Sequence, residues 1–118
     1  MKGIEYDKNG RTVSESYRDH LIRSLKDPDE ARSYLNAALE DEDHRLFLMA
    51  LRDVAEAFGI TQVAAAADLN RENIYRMLSP KGNPRLSSLV ALLRAVGVQL
   101  KTEVTPRARK SARSKGVF

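Results

Sequence analysis

The sequence predicts a mainly α-helical fold of about five to seven helices that contains a helix-turn-helix, with minor β structure at the two ends. Three observations support this fold class. Apolar residues recur at helical spacing through most of residues 14–96, and residues typical of helix caps precede several of these stretches. Residues 98–104 instead alternate apolar and polar side chains, as a half-buried strand does.

Length and composition limit the class of protein. The chain has 118 residues, enough for one domain with a modest core but not for two independent cores. It contains no cysteine, which excludes disulfides and thiolate metal sites. No apolar run approaches the roughly 20 residues that cross a bilayer, and no hydrophobic signal core follows Met1. We therefore expect a cytoplasmic protein.

The charge is unevenly distributed along the chain. Residues 1–60 hold nine Lys or Arg and thirteen Asp or Glu, whereas residues 81–118 hold nine basic residues and one acidic residue, Glu103. Basic clusters bind polyanions such as DNA because they release counterions condensed on the phosphates. A solubilising tail would explain the same charge, so charge alone leaves both interpretations open.

Apolar spacing predicts the first helix, and helix-capping residues predict the second. The first covers residues 14–25 and presents apolar side chains on one face. The second covers residues 28–39, where Asp27 can cap the helix, Pro28 suits the first helical position and Glu30 completes a capping-box arrangement.

Two further helices are set by apolar spacing and terminal glycines. A long helix begins after Asp41 or Asp43 and ends at Gly59. The last helix begins at Leu86, with apolar residues on one face, and stops at Gly97.

The two ends of the chain are expected to differ from the helical region of residues 17–104. Residues 1–16 place β-prone runs on either side of Asn9-Gly10 and predict a hairpin or a flexible arm. The strand at 98–104 needs a partner, which could be the N-terminal hairpin, its own counterpart across a dimer axis, or another protein. Residues 105–118 are basic with few apolar residues and predict a disordered tail.

Residues 61–78 have the features of a helix-turn-helix, predicted as helices over 61–67 and 71–78. Asp68 takes the turn position where glycine is usual and a left-handed backbone is needed. Asn70 can cap the second helix. The inward-facing positions are apolar: Val63, Ala64, Ala67, Leu69, Ile74 and Leu78. The exposed face offers side chains that read bases and phosphates: Arg71, Glu72, Asn73, Tyr75 and Arg76.

A plain helical hairpin of the core, with its polar residues merely solvated, is the alternative interpretation. The loop that follows favours DNA binding, because Lys81 and Arg85 flank Gly82-Asn83-Pro84 at the start of the next helix. Cations oppose the dipole at that end of a helix. A phosphate bound by the helix end and the cations together would remove the conflict.

Several segments together resemble a known family. They are 27–31, 34–39, 50–55, 69–75 and 78–86, including Arg71-Glu72 followed by Tyr75 and the Gly82-Asn83-Pro84 loop. Over roughly residues 17–104 the chain resembles addiction-module antidote proteins, which are HigA-like antitoxins of the XRE/Cro helix-turn-helix superfamily. The resemblance implies a lambda-repressor-like bundle, binding to a RelE/HigB-like toxin, and repression as a dimer of the operon that encodes both proteins.

The resemblance also implies residue roles. The groove-facing set would be Asn70, Arg71, Glu72 and Arg76, and the phosphate contacts would be Gln62, Tyr75, Lys81, Asn83 and Arg85. Glu72 has an alternative role in supporting the helix start or orienting Arg71 or Arg76. Tyr75 could instead cover the edge of the core.

Other side chains give no sign of catalysis or of a cofactor. His20 and His44 lie in different predicted helices without further ligands at usable spacing, so we expect no metal site. Ser79 and Ser87 lack a paired His and Asp, so we do not expect an enzyme. The acidic run at 40–43 most simply solvates a helix junction, although it could also dock the basic surface of a toxin.

The function predicted from these observations is that of an antitoxin that binds operator DNA as a homodimer, with paired half-sites about 34 Å apart. Residues 98–104 and Leu92 are the candidate elements of the dimer interface. A stand-alone prophage-type regulator is one alternative, and a protein that masks a toxin without binding DNA is another.

Overall fold

The structure, a computed structural model, describes residue 10 and residues 12–106. Most of the predicted N-terminal hairpin or arm, residues 1–9 and 11, and most of the predicted basic tail, residues 107–118, lie outside the described residues. The described part is helical, as predicted, and consists of six α-helices: α1 (Val13–Ser24), α2 (Pro28–Leu39), α3 (His44–Phe58), α4 (Ile60–Ala67), α5 (Arg71–Met77) and α6 (Leu86–Ala95). No helix within residues 12–106 is long and apolar enough to cross a membrane.

Side-chain caps fix the starts of four of the described helices, α1, α2, α3 and α5. The Asp27 carboxylate accepts a hydrogen bond from the Asp29 amide at 2.9 Å, and Pro28 takes the first position of α2. The reciprocal capping box expected there is found at α1 instead, where the Thr12 hydroxyl accepts from the Glu15 amide and the Glu15 carboxylate accepts from the Thr12 amide.

α3 is the central element of the fold, since it packs against α1, α2 and α4, while α4 packs against α5 and α6. Leu51, Val54 and Ala55 of α3 are completely buried. Burial of such side chains is the main favourable contribution to folding. The other buried core residues come from α2 to α6 and from the residues that directly follow α1, α5 and α6: Leu25, Ala31, Leu35, Leu48, Ala50, Ala57, Val63, Ala64, Ile74, Leu78, Leu92, Leu93 and Val96.

The segment after α6 differs from the prediction. α6 ends where Gly97 takes a φ of 83° and the Val98 amide bonds back to the Leu93 carbonyl at 2.9 Å. Residues 98–106 then form no strand in the single chain. The reason is that a strand exists only with a hydrogen-bonded neighbour, and no described segment pairs with this one.

Candidate nucleic-acid interface

A three-residue turn joins α4 to α5. Asp68 adopts the left-handed conformation expected for this position, with φ 60° and ψ 47°. The Leu69 amide bonds to the Ala64 carbonyl at 2.9 Å and closes the end of α4. The Asn70 side chain accepts from the Asn73 amide at 2.8 Å and starts α5, as its predicted capping role requires.

Apolar side chains hold α5 against the rest of the molecule. Ile74 is completely buried on α5, as is Leu78 directly after it, and both pack in the cluster that contains Val63 and Ala64 of α4. Ala67 and Leu69 are partly buried against the same cluster. All six positions predicted to face inward therefore do so, and the opposite side of α5 is left to solvent.

The exposed side of α5 carries the predicted reading residues. Arg71, Glu72 and Arg76 are exposed, while Asn73 and Tyr75 are half-buried. Within the described chain, neither arginine side chain forms an ion pair or a hydrogen bond. Both guanidinium groups therefore retain all their donors for an external acceptor.

A wide, open groove of about 660 Å³ lies between α4 and α5. It brings together four of the predicted site residues with two residues of α4: Thr61, Ala64, Asn70, Arg71, Glu72 and Tyr75. Thr61 was not predicted as a site residue. Its hydroxyl can donate to a phosphate oxygen, and a threonine at the predicted start of a helix next to the reading residues is a sequence signal that could have indicated it.

Tyr75 forms a cation–π contact with a residue that is distant from it in the sequence. The guanidinium carbon of Arg52, on α3, lies 5.1 Å from the centre of the Tyr75 ring. Arg52 also lies 3.7 Å from Glu56, one turn further along α3. The Tyr75 ring is thus half-buried beside a cation of α3 and also lines the groove, so both roles left open by the sequence, a phosphate contact and a cover for the core edge, stay predictions.

A network of charges extends from this contact to the first two helices. Arg18 bridges Asp53 at 3.0 Å and Glu56 at 2.9 Å, and the Tyr34 hydroxyl donates to Asp53 at 2.7 Å. Burial, followed by this hydrogen bond, raises the pKa of Tyr34 to about 12. The hydrogen bond to Asp53 raises the pKa of Arg18. The network therefore ties α1 and α2 to the helix that supports Tyr75.

A protein-family model matches residues 17–104 of the chain, and the family is described as "probable addiction module antidote protein". The match covers well over half of the chain. The chain belongs to this family. It also resembles an uncharacterized protein of Haemophilus influenzae, with 33% identity over 92 residues that cover 77% of the chain and 95% of that protein. No solved structure matches the chain.

Membership in the antidote family implies a toxin partner in general. The matched region begins within α1, spans α2 to α6 with the turn between α4 and α5, and ends within the segment that follows α6. All ten site residues predicted from the sequence lie inside it.

The remaining predicted residues lie around the start of α4 and in the loop before α6. The exposed side chain of Gln62 lies against Gly59. A Cβ on Gly59 would collide with the side-chain amide oxygen of Gln62. Gly82 lies against the Met77 carbonyl at the end of α5, and a Cβ on Gly82 would overlap that oxygen. Only glycine therefore fits at this point of the loop, which keeps Lys81 close to α5.

Lys81, Asn83 and Arg85 are exposed. Arg85 caps α6 without a side-chain bond to it, and the first turn of α6 contains no acidic residue. Asn83 lines a separate apolar depression together with Phe47 and Leu100 rather than the groove between α4 and α5.

Proposed function

We propose that the chain is the antitoxin of a toxin–antitoxin pair, and that it binds its toxin and represses its own operon by reading operator DNA with α5. One observation carries the DNA-binding part. α5 is fixed by buried Ile74 and by the Asn70 cap, while Arg71 and Arg76 project from it without partners in the described chain. An exposed helix with free planar cations is suited to the major groove of B-DNA, which is about 12 Å wide.

Base reading is assigned to the start of α5. Arg71 is its first residue, and its planar fork can donate two hydrogen bonds to the O6 and N7 of a guanine. Arg76 lies in the last turn and can reach a second base or a phosphate. Glu72 lies in the first turn, where a carboxylate favours the helix dipole, and we assign it to supporting the helix start.

Phosphate contacts are assigned to the groups around α5. Lys81 and Arg85 are exposed cations without ion pairs in the described chain, unlike Arg18 and Arg45, which are paired with carboxylates. The amides at the start of α6 also lack a side-chain acceptor. A phosphate would satisfy these amides and the cations together.

The family supports the toxin partner, and the RelE/HigB-like class of toxin follows from the resemblance of the sequence. The DNA-binding part also requires a dimer, because one short helix contacts few base pairs and such proteins gain specificity from two half-sites. The two functions need not use the same surface.

The test is to purify the chain alone and together with the product of the adjoining gene, and to footprint each sample on the DNA upstream of the gene pair. The proposal predicts co-purification and protection of two half-sites whose centres lie about 34 Å, or a multiple of this, apart. Specific protection without a partner would favour a stand-alone regulator. Co-purification without any protection would show a protein that masks a toxin and does not bind DNA.

A further inference from the structure

The segment after α6 has the sequence of a strand but lacks the partner that a strand needs. Val98 is partly buried against the core, whereas Leu100 is 48% exposed and Val104 is 96% exposed. In the described part of the chain, the backbone of residues 99–104 makes no hydrogen bond to another segment. Unpaired strand backbone with apolar side chains on one face is a template for pairing with another chain.

An open groove of about 360 Å³ lies beside this segment. The segment itself lines one side of the groove through residues 98–103, and Arg32, Leu35 and Leu39 of α2 line the other. Leu39 is half exposed although it is large and apolar. The groove thus offers both free backbone groups and apolar surface to an extended chain.

We propose that the same segment of a second copy pairs with residues 98–104, antiparallel and with the two-fold axis at Thr102. This interface supplies the dimer on which the proposed DNA-binding function depends. A strand pairing with its own copy is isologous, so every contact except the one on the axis occurs twice.

The side-chain pattern selects this register. A shift by one residue would place the apolar face of one strand opposite the polar face of the other, which excludes half of the registers. An axis at Lys101 would oppose two lysines, and an axis at Glu103 would oppose two glutamates. An axis at Thr102 places Lys101 opposite Glu103 of the second copy, and Leu100 opposite its Val104.

The Thr102 register therefore joins opposite charges on one face and apolar side chains on the other. Two Lys–Glu pairs and two Leu–Val pairs form, with a Thr–Thr pair at the centre. Pairing ends where Pro106 lies opposite Val98, because proline has no amide hydrogen to donate.

Charge reversal tests the register in the full-length protein. Lys101→Glu places like charges opposite each other twice per dimer and should raise the dimer dissociation constant roughly ten-fold. The double variant K101E/E103K restores opposite charges and should recover the parent constant. Sedimentation equilibrium measures each constant, and circular dichroism checks that the helices are intact.

Crosslinking gives an independent measurement, because the chain has no cysteine of its own. Thr102→Cys places two thiols directly opposite, within the distance that a disulfide spans, and mild oxidation should produce covalent dimers. Gln99→Cys is the matched control, because Gln99 takes part in none of the assigned pairs. Its two copies would be offset along the strands by six residues, with Cα atoms about 20 Å apart, too far for a disulfide.

Three results would overturn the proposal. In the first, the parent, Lys101→Glu and K101E/E103K have the same dimer dissociation constant. In the second, Thr102→Cys stays uncrosslinked while the chain is dimeric. In the third, Thr102→Cys crosslinks only to a co-purified partner protein. Operator binding by the same samples separates the strand interface from the proposed DNA binding. If the interface tests fail but operator is bound, the proposed function stands. If the interface tests succeed but operator is not bound, only the interface stands.

Discussion

Arg71 and Lys81 are predicted to contribute to DNA binding in different ways. Arg71 is exposed on the first turn of α5 and Lys81 is exposed in the following loop, and neither has a partner in the described chain. Replacing either residue by alanine should therefore leave the free energy of unfolding within about 0.5 kcal/mol of the parent value. Changes in DNA affinity can then be attributed to the complex.

The expected magnitudes follow from the geometry. Arg71→Ala loses a bidentate contact to one base, which is worth about 1–3 kcal/mol and corresponds to roughly 5- to 150-fold weaker operator binding. Scrambled DNA should be bound as before. Lys81→Ala loses one phosphate contact, so operator and scrambled duplexes should weaken alike, and the slope of log affinity against log salt should fall by about one unit.

The assay is a salt titration of each variant on operator and scrambled duplexes. Arg23→Ala is the matched control, because Arg23 is an exposed cation in the last turn of α1 and has no assigned role in DNA binding. Its loss changes net charge equally but removes no assigned contact. The reasoning would be refuted if Arg71→Ala and Arg23→Ala bound operator equally well, since α5 would then not read the bases.

Three further predictions concern the loop, the charge network and the tail. Gly82→Ala should lower the free energy of unfolding in urea by about 1–3 kcal/mol, because the added Cβ would overlap the Met77 carbonyl. An unchanged free energy of unfolding would show that the loop moves away from this carbonyl without cost. The raised pKa of Tyr34, about 12, predicts that its stabilisation is complete below pH 10 and is lost as the pH rises towards 12. The stability difference between the parent and Tyr34→Phe should therefore change across this range, and a constant difference would contradict the assignment. Deleting residues 107–118 should weaken binding to operator and to random DNA by similar factors in a binding titration, because five Lys or Arg among few apolar residues are expected to contact phosphates rather than base edges. A loss confined to operator would mean that the tail reads bases.

Local signals were sufficient to predict the helices. Asp27 and Pro28 predicted the first residue of α2 correctly, and Asn70 predicted the first residue of α5 correctly. Both predictions succeeded because a cap acts on amides only two or three positions away. The left-handed turn at Asp68 was predicted from its position between the two helices of the helix-turn-helix pattern, which is also a local signal. Such interactions depend on neighbours in sequence.

The features that were missed depend on residues far apart in sequence. The contact of Arg52 with Tyr75 arises only when α3 and α5 pack together, so neither residue alone indicates it. Residues 98–104 carry a strand pattern, but whether a strand forms depends on a partner that the pattern does not identify. Thr61 is different, because its place at the predicted start of a helix was a local signal that could have indicated it, although the groove that it lines forms only where α4 and α5 pack together.

The central claim is that α5 reads operator DNA, and footprinting of the purified chain on the DNA upstream of its own gene tests it most directly. The account predicts protection of two half-sites at salt concentrations where scrambled DNA is unbound, and loss of that protection in Arg71→Ala. Equal binding of upstream and scrambled DNA by the folded parent protein would contradict it.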